Sequence, residues 1–579
     1  MLIVFESGKL RMGTKELSIA ITGAGGAGVI SCGELLLQAW ARQGGRGLLR
    51  KAYGPQIRGG ESAALLKLTE HERYTASGHY DVVIALDWTN FSRFEDEISL
   101  GADTWVICDE SDDLPERIVA IGPHILPVPM AELAAAAHPD GRVNMLALGF
   151  LGGLLGLPVA SLCELAEQKL SGKPQAYRTA AIACIERGSS EKLACPLQVP
   201  VLGGTDLWYI SGNQAAGFGA LAAGIRFVAA YPITPASDVL EWMAGPLEQV
   251  GGHLVQAEDE LAAINMTIGA AFGGVRAFTA TSGPGLALMT ESIGLAVASE
   301  TPLTVLNVMR GGPSTGIPTK SEQSDLNIAL YGLHGDAPHL VLAPLDIADC
   351  VFTAGWAVNL AQQLQTPAIV LSDQFIGQST AVVSEPRRCE NSTITLPQER
   401  EDTAYLRYKL TASGVSAVAS PGDVDRRFTA DGLEHNEKGT PSAKHSDHRH
   451  QLDKRADKLS GVDFGADWAE IAGTGSVALV CFGSASAPVV EASTLLADSG
   501  VDARVVSLRL LAPLQNVALE NALAGCAHVV VVEQNHSKQL FHYLKGHMDF
   551  QQRVHSHAVS GPVPLSPTSI AQRVLEVMG

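Results

Sequence analysis

The sequence lacks several features that mark common protein classes. No two of its nine cysteines have C-x-x-C spacing, the close spacing that structural zinc sites and iron–sulfur clusters usually need. Basic residues are comparatively few: 41 Lys and Arg stand against 61 Asp and Glu, a net charge of −20. An acidic chain without a basic patch is not expected to bind nucleic acid. We therefore expect reduced, buried cysteines, no metal site on this chain and no nucleic-acid partner.

Uninterrupted apolar runs of membrane-spanning length are also missing. The longest apolar stretch, residues 145–162, is broken by Gly149, Gly152, Gly153, Gly156 and Pro158, which predicts a buried helix followed by a tight loop. The amino terminus has one short apolar run with Glu6 close behind, unlike a signal peptide. We expect a cytoplasmic protein that does not associate with membranes.

What is present is a long, apolar, α/β type of sequence. With 579 residues and 46% hydrophobic content, the chain is long enough for several domains. β-Rich runs alternate with alanine-rich helical segments, which predicts a multidomain α/β protein with mainly parallel sheets. We place α/β domains at residues 1–195, 196–385 and 471–579, with a connector at 386–470. In the second domain, strands are predicted at Phe227–Ala230, His253–Gln256, Ala277–Thr281, Leu303–Val308 and Ala368–Ser372.

The connector differs in composition from the domains. It is rich in charge, histidine and turn residues and is predicted to end in a solvated helix near Asp447–Ser460. His445, His448 and His450, together with Asp447, are a candidate metal site. Their spacing fits no standard ligand set, which favours an exposed charged segment.

The strongest functional signal is an acidic triplet followed by a glycine turn. Glu258, Asp259 and Glu260 end a predicted strand and open a helix, where free N–H groups favour a carboxylate. One strand later comes Thr281-Ser282-Gly283-Pro284-Gly285, whose glycines let the backbone close on a ligand. Both lie where open α/β sheets bind ligands. An acidic triplet alone would indicate a helix cap, but the conjunction favours a site.

This pattern resembles the pyrimidine-binding domain of thiamine diphosphate enzymes. The resemblance rests on Glu260, on Gly269 nine residues later and on the T-S-G-P-G run. It implies that Glu260 hydrogen-bonds the aminopyrimidine ring and that Thr281, Ser282 and Gly283 help to bind the cofactor. Glu258 is the competing assignment. The G-D-G motif that holds the diphosphate and Mg²⁺ in that superfamily is absent from the sequence, so a partner chain must supply it.

Three further segments narrow the family. The run Tyr231-Pro232-Ile233-Thr234-Pro235 resembles the Y-P-I-T-P signature of the 2-oxoacid:ferredoxin oxidoreductases. The resemblance implies that Thr234 faces the substrate. The run of residues 303–310 places Arg310 just past a predicted strand, and its likeness to the family's substrate arginine implies that Arg310 binds the substrate carboxylate. Residues 311–326 resemble a loop of the 2-oxoglutarate-type alpha subunit, in which Ser314, Thr315 and Lys320 are candidates for the distal carboxylate.

The terminal domains fit the same family. Residues 23–28 match G-x-G-x-x-G, but no acidic residue follows about twenty positions on to hold a ribose, so NAD binding is not favoured. With residues 53–60 this loop instead resembles the fused gamma domain, although Ala27 stands where that family often has glutamine. Gly25, Gly26 and Arg58 are candidates for coenzyme A contacts, and a packing role is the alternative. Residues 531–540 resemble a transketolase carboxy-terminal domain, which implies subunit contacts and no catalytic role for Glu533 or Asn535.

Taken together, the resemblance implies oxidative decarboxylation of a 2-oxoacid with coenzyme A, with electrons passed to ferredoxin. It also implies a beta subunit that carries Mg²⁺ and a [4Fe-4S] cluster, shares the thiamine diphosphate and forms an (alpha–beta)₂ assembly. The motifs favour 2-oxoglutarate over pyruvate or branched-chain 2-oxoacids. A split, non-redox transketolase or synthase subunit and a scaffold that has lost catalysis are the alternatives.

Overall fold

The computed structural model describes residues 16–54, 60–72, 74–89, 91–389 and 404–579. The chain divides into two compact units. The first contains the residues up to Ile210 together with Ser379–Glu385, and the second contains Ser211–Gln378 and Pro386–Gly579.

The first unit is an α/β domain around one eight-stranded sheet. Its elements are β1 (Leu17–Gly23), α1 (Val29–Arg42), β2 (Arg46–Tyr53), β3 (Ser62–Thr69), β4 (Val82–Ala85), β5 (Trp105–Asp109), α2 (Glu116–Ile121), β6 (His124–Val128), α3 (Met130–Ala137), α4 (Val143–Leu154), α5 (Val159–Lys169), α6 (Gln175–Ser190) and β7 (Trp208–Ser211). The strand order is β6-β5-β4-β1-β3-β2-β14-β7, where β14 is Thr380–Val383. Strand β1 is buried along its whole length because both faces of the sheet carry an apolar core. Leu17, Ile19 and Ile21 belong to one core, and Ala20 belongs to the other.

The second unit begins with a seven-stranded sheet. Its elements are α7 (Gly212–Ala222), β8 (Phe227–Ala230), α8 (Ser237–Gln249), β9 (His253–Gln256), α9 (Glu260–Phe272), β10 (Ala277–Thr281), α10 (Gly283–Ala298), β11 (Thr304–Met309), α11 (Leu326–Tyr331), β12 (Leu340–Leu342), α12 (Asp349–Leu364), β13 (Ala368–Asp373) and α13 (Gln374–Gln378). The order is β18-β12-β13-β11-β10-β8-β9, where β18 is Leu510–Ala512. The strands from β12 to β9 are parallel, so their carboxyl ends share one edge.

The carboxy-terminal part adds a five-stranded sheet. Its elements are α14 (His445–Ser460), β15 (Ala469–Ala472), β16 (Val477–Phe482), α15 (Ser486–Asp498), β17 (Ala503–Leu508), β18 (Leu510–Ala512), α16 (Asn516–Leu523), β19 (His528–Glu533), α17 (Gln539–His547), β20 (Arg553–Ala558) and α18 (Pro567–Met578). The order is β15-β17-β16-β19-β20. Strand β18 leaves this sheet and pairs antiparallel with β12 of the larger one.

The predicted α/β class is confirmed, and most of the predicted strands are present. Strands β8, β9 and β10 have the predicted bounds, β11 starts and ends one residue later than predicted, and β13 extends one residue further. The apolar stretch 145–162 falls on α4, a loop and the start of α5. Among the helices of the described segments, none is long and apolar enough to cross a bilayer. All nine cysteines lie in described segments, seven are buried, and none is in a disulfide.

Two details differ from the sequence predictions. Strands β7 and β14 lie in the segment assigned to the second domain but pair within the first sheet. The prediction that the connector ends in a solvated helix is wrong for one face of α14. On that face Lys454 and Lys458 are only 4% and 2% exposed. Both lysines are buried because their ammonium groups form ion pairs with the buried carboxylate of Glu300.

The connector histidines do not converge. His448 pairs with Glu434, 2.7 Å from Nδ1 to Oε2, while His445 and His450 are exposed. No group of three or more His, Cys, Asp or Glu in the described ranges is arranged to hold a metal ion.

Candidate functional site

Glu260 is a buried carboxylate at the amino end of α9. The preceding residue, Asp259, caps this helix by accepting a hydrogen bond from the Ala262 N–H at 2.7 Å. Because Asp259 takes the capping position, Glu260 is free to point elsewhere. Its side chain is only 6% exposed. It forms no hydrogen bond or ion pair with any other described residue. Glu258, the competing candidate, is exposed.

The glycine turn after β10 lies directly against this carboxylate. A Cβ placed on Gly285 would clash first with the Thr281 hydroxyl and would lie 2.7 Å from Oε1 of Glu260, so a larger residue would displace one or both side chains. Thr281 and Ser282 are fully buried, and the Ser282 hydroxyl has no partner among the described side chains and backbone. The turn and Glu260 therefore enclose polar atoms that lack partners within the described chain, as expected of a ligand site.

Thr234 and Arg310 meet at the same edge of the sheet. Thr234 follows β8 and Arg310 follows β11, and Nη1 of Arg310 donates a hydrogen bond to the Thr234 carbonyl. Arg310 is 6% exposed, and its buried Nε has no partner in the described part of the chain. Burial lowers the pKa of Arg310, although nearby Asp325 opposes the shift. The guanidinium thus retains unused donor capacity for a carboxylate.

A second carboxylate at this edge was missed by the sequence reasoning. Asp325 precedes α11, and its Oδ2 accepts a hydrogen bond of 2.9 Å from Nδ2 of Asn307 in β11. Burial raises the pKa of Asp325. The only sequence signal for Asp325 was its place in the family-like loop of residues 311–326.

The candidate substrate loop is partly solvent-facing. Ser314 and Thr315 are exposed, and Lys320 is half-buried. The loop closes through backbone hydrogen bonds from Gly311 N to Lys320 O at 3.0 Å and from Ile317 N to Gly311 O at 2.8 Å. The loop therefore starts at Arg310 and folds back on itself, with Ser314 and Thr315 presented outward.

The carboxy-terminal part fixes the far end of this loop. Gln323 is fully buried, and it exchanges hydrogen bonds with the Gln534 backbone at 2.8 and 2.9 Å. Gln539 donates to the Ser324 carbonyl at 2.9 Å. Glu533 accepts from the N–H groups of Leu540 and Phe541, so its carboxylate caps α17. These contacts are structural.

The candidate coenzyme A residues lie in the first unit. Gly25 and Gly26 are exposed in the turn between β1 and α1. Gly28 has φ +82°, and a Cβ there would meet the Asn144 side-chain amide at 2.3 Å, so a larger residue is excluded. Arg58 lies outside the described residues.

The site fits the aminopyrimidine half of thiamine diphosphate. An unpartnered buried carboxylate suits a ring nitrogen that shares a proton, and Gly285 keeps the approach to it open. The parallel sheet, with this carboxylate at its carboxyl edge, defines a thiamine diphosphate-binding class of protein.

Comparisons with known families place the chain more closely. Residues 218–454 match the family described as "Pyruvate flavodoxin/ferredoxin oxidoreductase, thiamine diP-bdg". Residues 18–191 match "Pyruvate ferredoxin/flavodoxin oxidoreductase", and residues 468–559 match the transketolase C-terminal domain.

Individual relatives agree with these matches. The alpha subunit of 2-oxoacid:ferredoxin oxidoreductase 2 from Aeropyrum pernix is 30% identical over 92% of this chain and 93% of its own length. The 2-oxoglutarate synthase subunit KorA of Archaeoglobus fulgidus is 37% identical over 56% of this chain and 87% of its own. The solved 2-oxoglutarate:ferredoxin oxidoreductase of Magnetococcus marinus is 33% identical, with a TM-score of 0.89 over 98% of this chain and all of that chain. The chain belongs to the 2-oxoacid:ferredoxin oxidoreductase family.

Proposed function

We propose that this chain is the alpha subunit of an enzyme that converts 2-oxoglutarate, coenzyme A and oxidised ferredoxin to succinyl-CoA, CO₂ and reduced ferredoxin. The observation that carries the proposal is the buried, unpartnered Glu260 on the same sheet edge as Arg310. The Magnetococcus marinus relative, solved with 2-oxoglutarate, coenzyme A and succinyl-CoA bound, supports this choice of substrates. Pyruvate and branched-chain 2-oxoacids are the alternative substrates.

Glu260 is the residue that activates the cofactor in this proposal. When bound, thiamine diphosphate supplies a nucleophilic carbon for addition to the keto group of the substrate. The Glu260 carboxylate would hydrogen-bond a ring nitrogen of the aminopyrimidine and share a proton with it. Thr281, Ser282 and Gly283 line the same turn, and the unpartnered Ser282 hydroxyl is available to the cofactor.

Arg310 and Thr234 orient the substrate. The Arg310 guanidinium is buried with an unused Nε–H, so it binds the carboxylate beside the keto group through charge-assisted hydrogen bonds. The contact between Arg310 and the Thr234 carbonyl keeps residues 231–234 close to the guanidinium. The Thr234 hydroxyl then contacts the same substrate end, and Tyr231, Pro232 and Ile233 shape the pocket around it.

The loop of residues 311–320 recognises the distal carboxylate of 2-oxoglutarate. Ser314 and Thr315 supply hydroxyl donors and Lys320 supplies a positive charge. The loop begins directly after Arg310, so it is adjacent to the proposed site of the first carboxylate. A monocarboxylate such as pyruvate has no group for these three residues to bind.

A beta subunit completes the cofactor site. The sequence has no G-D-G motif, so the diphosphate, Mg²⁺ and a [4Fe-4S] cluster are assigned to that partner, in an (alpha–beta)₂ assembly. Helices α9 and α10, which carry Glu260 and the glycine turn, expose Leu261, Met266 and Leu288 by 48%, 44% and 50%. A partner that covers these exposed apolar side chains would lie beside the two helices that carry Glu260 and the glycine turn.

Coenzyme A is assigned to the first unit. Helix α1 has no side-chain cap at its amino terminus, and the exposed Gly25 and Gly26 let a phosphate group approach its free N–H donors. Arg58 is proposed to add a positive charge. A cytoplasmic location is proposed because none of the nine cysteines is oxidised to a disulfide.

The assembled complex provides the test. With 2-oxoglutarate and coenzyme A it should reduce ferredoxin or a viologen dye, and Glu260→Gln should lower kcat by about 100-fold or more. Glu258→Gln, an exposed matched control, should retain wild-type activity. Full activity of Glu260→Gln, or turnover without electron transfer, would contradict the proposal and favour a split non-redox enzyme.

Substrate choice is tested in the same assay. Lys320→Ala should raise the KM for 2-oxoglutarate about 10-fold through loss of a charge-assisted contact, with the KM for pyruvate unchanged. An unchanged KM for 2-oxoglutarate would remove Lys320 from the proposal.

A further inference from the structure

Asp325 is linked to the backbone of Arg310 through its neighbour in the loop. The Ser324 hydroxyl donates a hydrogen bond of 2.7 Å to the Arg310 carbonyl and lies 3.3 Å from Oδ1 of Asp325. The other oxygen of Asp325 accepts from Asn307 at 2.9 Å. The Asn307 Oδ1 is buried without a partner in the described ranges, so Asn307 is oriented chiefly by its bond to Asp325.

Asp325 also meets the glycine turn that faces Glu260. A Cβ placed on Gly283 would lie 2.6 Å from Oδ1 of Asp325, and one placed on Gly285 would lie 2.7 Å from Oε1 of Glu260. Two carboxylates thus contact glycines two positions apart. Asp325 occupies the side of this turn that is nearer to β11 and Arg310.

Residues of the carboxy-terminal part hydrogen-bond the chain two positions before and two positions after Asp325. On one side, Nε2 of Gln323 donates to the Phe482 carbonyl at 2.8 Å. On the other, Oε1 of Gln539 accepts from the Asn327 N–H at 2.8 Å. The segment that contains Asp325 is therefore fixed, and its carboxyl group cannot move away from Arg310 without breaking these bonds.

We propose that Asp325 is a positioning residue for substrate binding, which adjusts through its own charge how strongly Arg310 holds the carboxylate of the 2-oxoacid. This inference rests on the proposed function, in which Arg310 binds that carboxylate. An ionised Asp325 competes with the substrate for the positive charge of Arg310, whereas a neutral one leaves that charge to the substrate.

The direction of the pH effect follows from the groups that face Asp325. Burial raises its pKa, Arg310 at the end of β11 opposes the shift, and Glu322 in the same loop adds to it. Glu260 faces the other side of the glycine turn, and the residue that approaches from α17 is the uncharged Gln539. As the pH rises through the pKa of Asp325, negative charge develops beside Arg310 and the KM for the 2-oxoacid rises.

The test is the KM for 2-oxoglutarate in the assembled complex between pH 5 and 9. At pH 9, Asp325→Asn should lower this KM about 10-fold relative to the wild type, with a flatter pH profile. The KM for pyruvate should fall by the same factor, because Arg310 contacts the carboxylate that both substrates share. Asp336→Asn, at an exposed position beyond α11, is the matched control and should behave as the wild type.

The outcomes separate the inference from the function. No turnover of any 2-oxoacid by the wild-type complex defeats the proposed function itself. With an active wild type, an equal or higher KM for Asp325→Asn at pH 9 overturns the inference, because a purely structural role can only weaken binding. Asp325→Ser is a second neutral variant with the same expected direction. Failure of both variants to assemble would also overturn it, since the role would then be structural.

Discussion

Two buried glutamates, Glu260 and Glu300, lie near opposite ends of the helix pair α9 and α10 and differ in their surroundings. Glu260 begins α9 and is 6% exposed, while Glu300 follows α10 and is 1% exposed. Glu260 has no ionic or hydrogen-bond partner among the described residues. Glu300 pairs with Lys454, with Lys458 at 3.0 Å and with Arg407 at 3.7 Å.

The difference separates a carboxylate whose charge the chain itself compensates from one that has no partner among the described residues. Moving a carboxylate out of water costs several kcal/mol unless opposite charges or hydrogen-bond donors compensate. The chain provides that compensation for Glu300, where the three cations together outweigh burial and hold its pKa down at about 2. The described chain provides none for Glu260. Burial alone therefore does not distinguish the two carboxylates, whereas the presence of partners in the described chain does.

Glu300→Gln should show the largest effect on stability. Loss of this carboxylate leaves Lys454, Lys458 and Arg407 buried without their anion, and we expect the free energy of unfolding to fall by about 3–5 kcal/mol. Glu260→Gln should leave it unchanged or slightly raised, because no partner is lost. Urea denaturation of the two variants beside the wild type measures both values. Equal stability of the two variants would contradict the proposed difference between the ion-paired Glu300 and the unpartnered Glu260.

The contribution of the Glu300 carboxylate to stability should also depend on pH in the acid range. The folded-state pKa of Glu300 is about 2, below its ordinary value of 4.5, so its stabilising contribution is present above pH 4.5 and is lost as the pH falls towards 2. That contribution is about 3 kcal/mol by linkage. The stability difference between the wild type and Glu300→Gln should accordingly shrink by that amount between pH 4.5 and 2. A difference independent of pH would show that the Glu300 charge is not the source of the stability.

Gly285→Ala should show a smaller effect on stability and a clear one on activity. Its methyl group would press on the Thr281 hydroxyl and on the Glu260 carboxylate, at an overpacking cost of about 1–3 kcal/mol. Because the carboxylate must meet the aminopyrimidine closely, activity should fall about 100-fold. Gly269→Ala, in α9 with no atom within 4 Å of the added methyl, is the control. It should stabilise the isolated chain by about 0.5–1 kcal/mol. A fully active Gly285→Ala would argue against this placement of the cofactor.

Local sequence was enough to predict the framework and the residues that open each ligand-facing turn. Strands β8, β9 and β10 are short β-rich runs that end at turn or helix-start signals, so their bounds followed from composition and periodicity. The edge position of Glu260 and Gly283 followed because both come shortly after such strands, and parallel strands bring their carboxyl ends to one edge. The choice of Thr234 and Arg310 came instead from the family resemblance of the segments that contain them. That these residues contact substrate and cofactor stays a prediction.

Asp325 and α14 show where local reasoning stopped. Asp325 belongs to an irregular loop whose position depends on hydrogen bonds to Gln534 and Gln539, more than 200 positions away. Helix α14 has the composition of a solvated helix. Lys454 and Lys458 are nevertheless buried, because ion pairs with the distant Glu300 offset the cost of removing their charges from water. Neither partner could be identified from a local pattern.

The sequence by itself determined the α/β framework and the carboxyl-edge position of the Glu260 motif, since periodicity and motif spacing are local properties. Only the tertiary structure decided which acidic residues are buried, which of those are paired, and that β14 and β18 leave their neighbours for other sheets. Those outcomes depend on which distant groups come within hydrogen-bond or ionic distance, and that depends on the complete packing of the chain.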